Sequence, residues 1–472
     1  MSPPLDTIII GAGTAGLAAL REVRKRTERF LIVNEGPWGT TCARVGCMPS
    51  KALIEVADAF HQRHALSTFG VQGTEALRAD IPAVLRHVRA LRDHFAASAL
   101  QATAQLGRSK RAGRATVLGP RRVDIDGRAY DTRSIIIATG SRPHLPDAWL
   151  AFGERMLTTD NLFEQPDLGP RVAVIGMGPI GVEIAQALAR LGLNVWAFST
   201  SAQWAGLSDP AINAELTAAL KADMHLHVGP AAELREVPGG IEVRSGNHTA
   251  IVDHVVAAIG RVPNIEHLGL ENLGIPLNDK GLPPVDAHTM QVGDLPAFMA
   301  GDANTQVPLL HEAADEGHIA GMNALQPAQP QRFDRRVPLS IVFSAPQTAV
   351  VGQRLAQLDN TTIVTGKASF EDQGRARAAG RNRGRLHLYA DRTTGQLRGA
   401  ELCAPGGEHL AHLLALGLTQ KLTVQDLLGM PFYHPTLEEG LRTALRDAAS
   451  QLAQERPSDL SSCPAIGVPA LE

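Results

Sequence analysis

The stretch GTTCARVGCMPSK, Gly39 to Lys51, holds two of the chain's four cysteines, Cys42 and Cys47, with a glycine directly before the second and a proline shortly after it. Thiols this close can staple a loop, hold a metal or carry electrons. A metal site needs further soft ligands at short spacing, yet Cys403 and Cys463 are isolated and distant, so no metal is expected. A staple across so short a loop adds little stability, because loop-closure entropy grows with loop length. Thiol–disulfide exchange fits the pair best. Gly46 can relax the backbone so that the sulfurs meet, and such a local bond opens without unfolding its surroundings.

The elements that must position the pair begin with a glycine loop on either side of it. In DTIIIGAGTAGLAAL, Asp6 to Ile10 predict a buried strand, Gly11, Gly13 and Gly16 form GxGxxG, and Leu17 to about Arg26 predict a helix. The glycines let the backbone turn tightly and approach a pyrophosphate, which rests on the positive end of the helix. FLIVNE, 30–35, follows as a second strand ending in Glu35, at the spacing of a ribose-binding acid, with Asn34 competing for that role. The arrangement recurs about 165 residues later in RVAVIGMGPIGVEIAQAL, with strand Val172–Ile175 and Gly176, Gly178 and Gly181. Two dinucleotide folds in one chain imply one FAD and one nicotinamide cofactor. The second site's next strand, 194–201, ends in Ser199, Thr200 and Ser201, with neither the acid that holds the NAD ribose nor the arginine that takes the NADP phosphate. Without a cation the 2′-phosphate is poorly held, which favours NAD and leaves NADP open.

Length and charge set the frame. A chain of 472 residues divides into roughly two to four domains. With 45 Lys and Arg against 48 Asp and Glu, the net charge of −3 gives no reason to expect a nucleic-acid partner. The opening MSPPLDTIIIGAG runs into a strand without a basic or cleavable leader, and no apolar run reaches the ~18 residues of a membrane span. A cytoplasmic, multidomain α/β enzyme is expected. The arginine-rich GRARAAGRNRGR, 374–385, lacks interleaved aromatics and reads as a solvated turn and strand start, while 82–107 reads as an amphipathic helix. Cys403 is expected to be a small buried side chain, and Cys463 part of a passive tail.

GTTCARVGCMPSK also resembles the redox-active segment of the class I pyridine nucleotide–disulfide oxidoreductases, GGTCxxxGCxPSK, with Thr40 in place of one family glycine. The resemblance runs nearly end to end: SIIIATGSRP (134–143), VVAAIGRVPN (255–264), PAFMAGDAN (296–304) with LLHEAADEG (309–317), VPLSIVFSAPQTAVVGQ (337–353) and FYHPTLEEGL (432–441) follow in family order. It implies an FAD-binding part over 1–150, an NAD(P)-binding domain over 151–284, a central FAD-binding part over 285–334 and an interface domain over 335–472. Two Rossmann-like α/β domains and a C-terminal α+β dimerisation domain are the fold to expect. By these motifs the chain is most similar to the dihydrolipoamide dehydrogenases, which implies oxidation of dihydrolipoyl groups with NAD⁺. The second reading is NAD(P)H-dependent reduction of another disulfide, a metal ion or a quinone. The resemblance further implies that Cys42 is the interchange sulfur, that Cys47 is the charge-transfer sulfur nearer the flavin, and that His434 is a base oriented by Glu439. In a two-fold homodimer that base would serve the partner's cysteines. Lys51, closing the cysteine helix, would pair with Glu183 beside the flavin. Thr41, Thr139, Gly140, Gly301 and Asp302 would line the FAD site, with Asp302 on its ribityl chain, and Ser199 and Gly260 would line the nucleotide site.

Overall fold

The computed structural model describes residues 3–452; Cys463 therefore lies outside the described residues. Three five-stranded sheets organise the chain. The first is parallel, in the spatial order Ala297–Met299, Ile135–Ile137, Thr7–Ile10, Phe30–Asn34 and Lys110–Ala112. Its central strands are unbroken isoleucine runs, Ile8–Ile10 and Ile135–Ile137, buried on both faces, as a parallel sheet requires. The helices Thr14–Arg24 and Leu310–Asn323 pack together over one face. They touch closely enough that a Cβ on Gly317 would meet the Ala15 carbonyl oxygen at 2.2 Å. A three-stranded antiparallel sheet, Ala115–Gly119, Arg122–Ile125 and Arg128–Asp131, closes the other face.

The second parallel sheet runs His225–Val228, Asn194–Ser199, Arg171–Ile175, His254–Ala257 and Met156–Leu157. The third is antiparallel, Leu339–Val342, Gln347–Gly352, Leu397–Ala404, Arg385–Asp391 and Ile363–Ser369, and buries a core against the helices Gly407–Thr419 and Glu439–Gln451. This is the mixed α/β architecture expected. Among the described residues no helix is long and apolar enough to cross a membrane.

Several boundaries differ from the sequence reading, each for a local reason. The first loop helix starts at Thr14 rather than Leu17, because Gly13 is its N-cap and the end of the glycine loop is its first turn. The second strand stops at Asn34, whose side chain turns back to accept from Ala12 N at 3.0 Å. The strand predicted to reach residue 201 ends at Ser199, where the Ser199 hydroxyl bonds both the carbonyl and the amide of Ser201. The arginine-rich turn contains a short helix, Gly374–Ala378, capped by Gln373. Lys51 does not close the cysteine helix: that helix runs Cys47–His61, and Lys51 sits near its start.

Candidate active site

Cys42 lies on a four-residue helical turn, Thr41–Arg44, capped by the Thr40 hydroxyl, and Cys47 is the first residue of the helix Cys47–His61. Thr40, the departure from the family glycine, thus serves as an N-cap. Both cysteines are half-buried free thiols. The contact between them separates their proton affinities. A hydrogen bond from Cys42, together with the Lys51 ammonium, lowers the Cys47 pKa to about 7, while the same contact and burial raise that of Cys42. A helix N-terminus adds to the preference for a thiolate at Cys47.

Lys51 faces Glu183, on the helix Pro179–Arg190 that follows the second glycine loop. Its Nζ lies 2.8 and 2.9 Å from the two carboxylate oxygens and 4.6 Å from the centre of the Phe343 ring. The backbone N–H of Phe343 also donates to Glu183, at 3.0 Å. One carboxylate therefore fastens together the cysteine helix, the second loop helix and the entrance to the third sheet.

The two glycine loops share one geometry. A Cβ on Gly16 or on Gly181 would lie 2.0 or 1.8 Å from the carbonyl oxygen of Gly11 or Gly176, and nothing stands within 4 Å of the same position on Gly13 or Gly178. The helix starts at Gly13 and Gly178 have no side-chain cap and no acid in their first turns, so their N–H groups face an open cradle suited to phosphate. Beside the first cradle, Thr139 Oγ1 is buried without a hydrogen-bond partner, the one such side-chain atom among the described residues. An orphaned hydroxyl there fits a bound polar group such as FAD. Glu35 points outward, 4.0 Å from Arg114, whereas Asn34 ties the strand end to the loop. Across the same opening Asp302 accepts from Ser141 at 2.6 Å, and Arg261 donates to that serine at 2.8 Å. Gly140 and Gly301 both have positive φ there. Thr41, at the head of the Cys42 turn, is exposed.

The second cradle opens into a cavity of about 630 Å³, bordered by Gly176, Gly178, Ser199, Thr200, Gln203 and Gly260. Its size and its glycine floor suit an extended dinucleotide.

His434 and Glu439 come together as a pair, Nδ1 standing 3.0 Å from Oε1, with the Glu439 carboxyl held below its usual range chiefly by that bond. The histidine side chain is 79% exposed, and among the described residues its ring bonds to Glu439. Gln373 steadies the segment by donating to the Thr436 carbonyl at 2.6 Å.

Sequence reasoning missed the residues that hold these parts in place. Glu316, fully buried, accepts from Gly301 N and from Asn304, and Arg335 pairs with it at 2.9 Å. Phe343 is recruited through its backbone alone, which leaves no mark in side-chain spacing. Glu316 lies inside LLHEAADEG, but as one acid among three.

A family model described as pyridine nucleotide-disulphide oxidoreductase matches residues 5–317, and its dimerisation domain matches residues 338–445. The dihydrolipoyl dehydrogenase of Thermus scotoductus is 31% identical over 455 residues, covering 93% of this chain and 96% of that protein. The mercuric reductase of Streptomyces lividans is 29% identical over 466 residues, covering 95% and 97%. Among solved structures, the HOCl-induced flavoprotein disulfide reductase RclA from Escherichia coli superposes with a TM-score of 0.81 at 20% identity, over 93% of this chain and 98% of that one. At that identity the likeness is one of fold.

Proposed function

The chain belongs to the pyridine nucleotide-disulphide oxidoreductases, and from that premise we propose that it oxidises dihydrolipoyl groups with NAD⁺ as a homodimer. The observation that carries this reading is the Cys42–Cys47 pair, in which Cys47 titrates near neutrality beside Lys51. When bound, FAD and the nicotinamide supply the two-electron acceptors that return the pair to its disulfide. The chain's own residues do their work on that oxidised pair.

His434 of the second copy takes the proton from one substrate thiol, and the resulting thiolate attacks Cys42 Sγ. The Cys42–Cys47 bond breaks and Cys47 leaves as a thiolate, its charge favoured by the Lys51 ammonium and by the helix N-terminus. The second substrate thiol loses its proton and attacks the mixed disulfide, closing the substrate's own S–S bond. Cys42 is expelled and takes a proton back from His434. Two electrons now rest on the pair, one proton is on Cys42 and one has left to solvent. Glu439 orients the imidazole and steadies its charged form. Lys51, neutralised in part by Glu183, keeps a positive charge beside Cys47 and stabilises the thiolate.

One observation favours a second reading, NAD(P)H-driven reduction of another disulfide, a metal ion or a quinone. Among the described residues bordering the cavity there is no carboxylate beside Ser199, so ribose recognition leaves NADP open alongside NAD. Anaerobic titration of the FAD-loaded protein with dihydrolipoamide, followed by visible absorbance and then by addition of NAD⁺ or NADP⁺, separates the two. A long-wavelength band discharged by NAD⁺ supports the dehydrogenase. A flavin left oxidised by dihydrolipoamide but reduced by NADPH or NADH overturns it in favour of the second reading.

A further inference from the structure

The loop after Ser199 borders the nucleotide cavity through Thr200, Ser201, Gln203, Ala205 and Gly206. Its middle is tied to the glycine loop, where Ala205 N donates to the Met177 carbonyl at 3.5 Å. Its far end is tied to a different sheet. Glu401, on the third-sheet strand Leu397–Ala404, is fully buried and accepts four hydrogen bonds. Its Oε2 takes Ser208 N at 2.6 Å and Asp209 N at 3.0 Å, and its Oε1 takes Ser208 Oγ at 2.6 Å and Leu355 N at 2.9 Å. Asp209 caps the next helix, Pro210–Asp223, by accepting from Ala211 N, and is itself held by His387 Nδ1 at 2.7 Å and Tyr389 Oη at 2.9 Å. Burial works against the Asp209 charge, but His387 and Tyr389 outweigh it and hold its pKa at about 2.

We propose that Glu401 is a positioning residue for the pyridine nucleotide: the third sheet, through Glu401, fixes the shape of the loop that receives the adenosine half. The inference rests on the second glycine cradle being the nucleotide site. A buried carboxylate accepting backbone N–H groups on both oxygens is a costly device, and three of its four bonds here go to Ser208 and Asp209, the fourth to Leu355 N. It sets the position of Ser208 and Asp209, three and four residues beyond Ala205, whose φ of 53° is disfavoured for a residue with a side chain.

The test uses the FAD-loaded full chain and the redox-inert probes ADP-ribose and its 2′-phosphate, with affinity read by calorimetry. Glu401→Gln keeps size and shape, but either orientation of the amide sets an NH₂ against a backbone N–H donor. It should weaken the tighter-binding probe about tenfold, with FAD content and flavin reduction by dithiol unchanged. A merely structural Glu401 would instead lower FAD content and melting temperature while leaving the affinity of the folded protein alone, and that result overturns the proposal. Should Glu401→Gln not fold, Ser208→Ala removes the hydroxyl that donates to Glu401 and accepts from Ala356 N, while leaving both backbone bonds to Glu401 Oε2. A roughly threefold weakening supports the proposal, and an unchanged affinity overturns it. Failure of the unaltered chain to bind either probe would instead sink the nucleotide-site reading on which the proposal stands.

Discussion

The two halves of the thiol site are built in opposite ways. Cys42, Cys47 and Lys51 are held inside one chain, with Lys51 locked to Glu183 and Glu183 locked to the Phe343 backbone. His434 and Glu439 are joined to each other and to their own segment, on the surface. The first half is organised before any substrate arrives. The second stands on an open face of the domain whose match is named for dimerisation, and under the proposed mechanism it would serve as a base to the cysteines of another copy. Under the proposed mechanism, rigidity would lie where electrons pass, and assembly where protons do.

That contrast can be broken by experiments aimed at each half. The largest effect is expected from Cys47→Ser, which should cut dihydrolipoamide oxidation by at least ~10³-fold while leaving flavin reduction by NADH intact in stopped flow. A variant that still turns over dithiol at a tenth of the native rate would remove the pair from the mechanism. His434→Gln should lower the dithiol half-reaction by roughly 10²–10⁴-fold, again without touching reduction by NADH. If both halves slow together, the two regions are not separable in the way described. Glu439→Gln should cost less, about 10- to 100-fold in the dithiol half-reaction, because the imidazole stays but loses the carboxylate that orients it. Steady-state rates across pH would show the dependence on His434 weakened, and a rate equal to the native one would rule out the orienting role.

The smallest effect sharpens the interior half. In the dithiol form, thiolate absorbance near 240 nm should report Cys47 ionising around pH 7, protonated below and charged above. Lys51→Met removes a positive charge that favours the thiolate, so the midpoint should move upward by about one unit. A downward movement would mean that Lys51 acts on Cys47 by something other than its charge.

Much of this was legible in the sequence because local patterns carried it. Strand–GxGxxG–helix fixes both cradles, since only glycine fits at Gly16 and Gly181. The spacing of Cys42 and Cys47 limits them to one loop and one helix start. Only five positions separate His434 from Glu439, and Thr436 N between them donates to the same carboxylate. What stayed hidden depends on distance along the chain or on backbone atoms. Glu401 and Ser208 are 193 residues apart, and nothing in GAELCAPG marks a buried acid that accepts four hydrogen bonds. The Thr139 hydroxyl is notable for a missing partner, which no sequence displays. By residue type Glu35 and Asn34 compete for the ribose role, and only the structure shows that Asn34 accepts from Ala12 N while Glu35 lies 4.0 Å from Arg114.

The first sheet has a consequence for how the protein is made. Its edge strand is Ala297–Met299, and the helix packed on its glycine-loop helix is Leu310–Asn323. The second sheet needs nothing beyond Ala257. A chain emerging from the ribosome, where domains usually close in order from the N-terminus, meets a reversed order here. Ile135–Ile137 gain their edge neighbour, Ala297–Met299, only after every strand of the second sheet has been made. The sheet beneath the N-terminal cradle is thus begun before the other and supplied with its last strand after it.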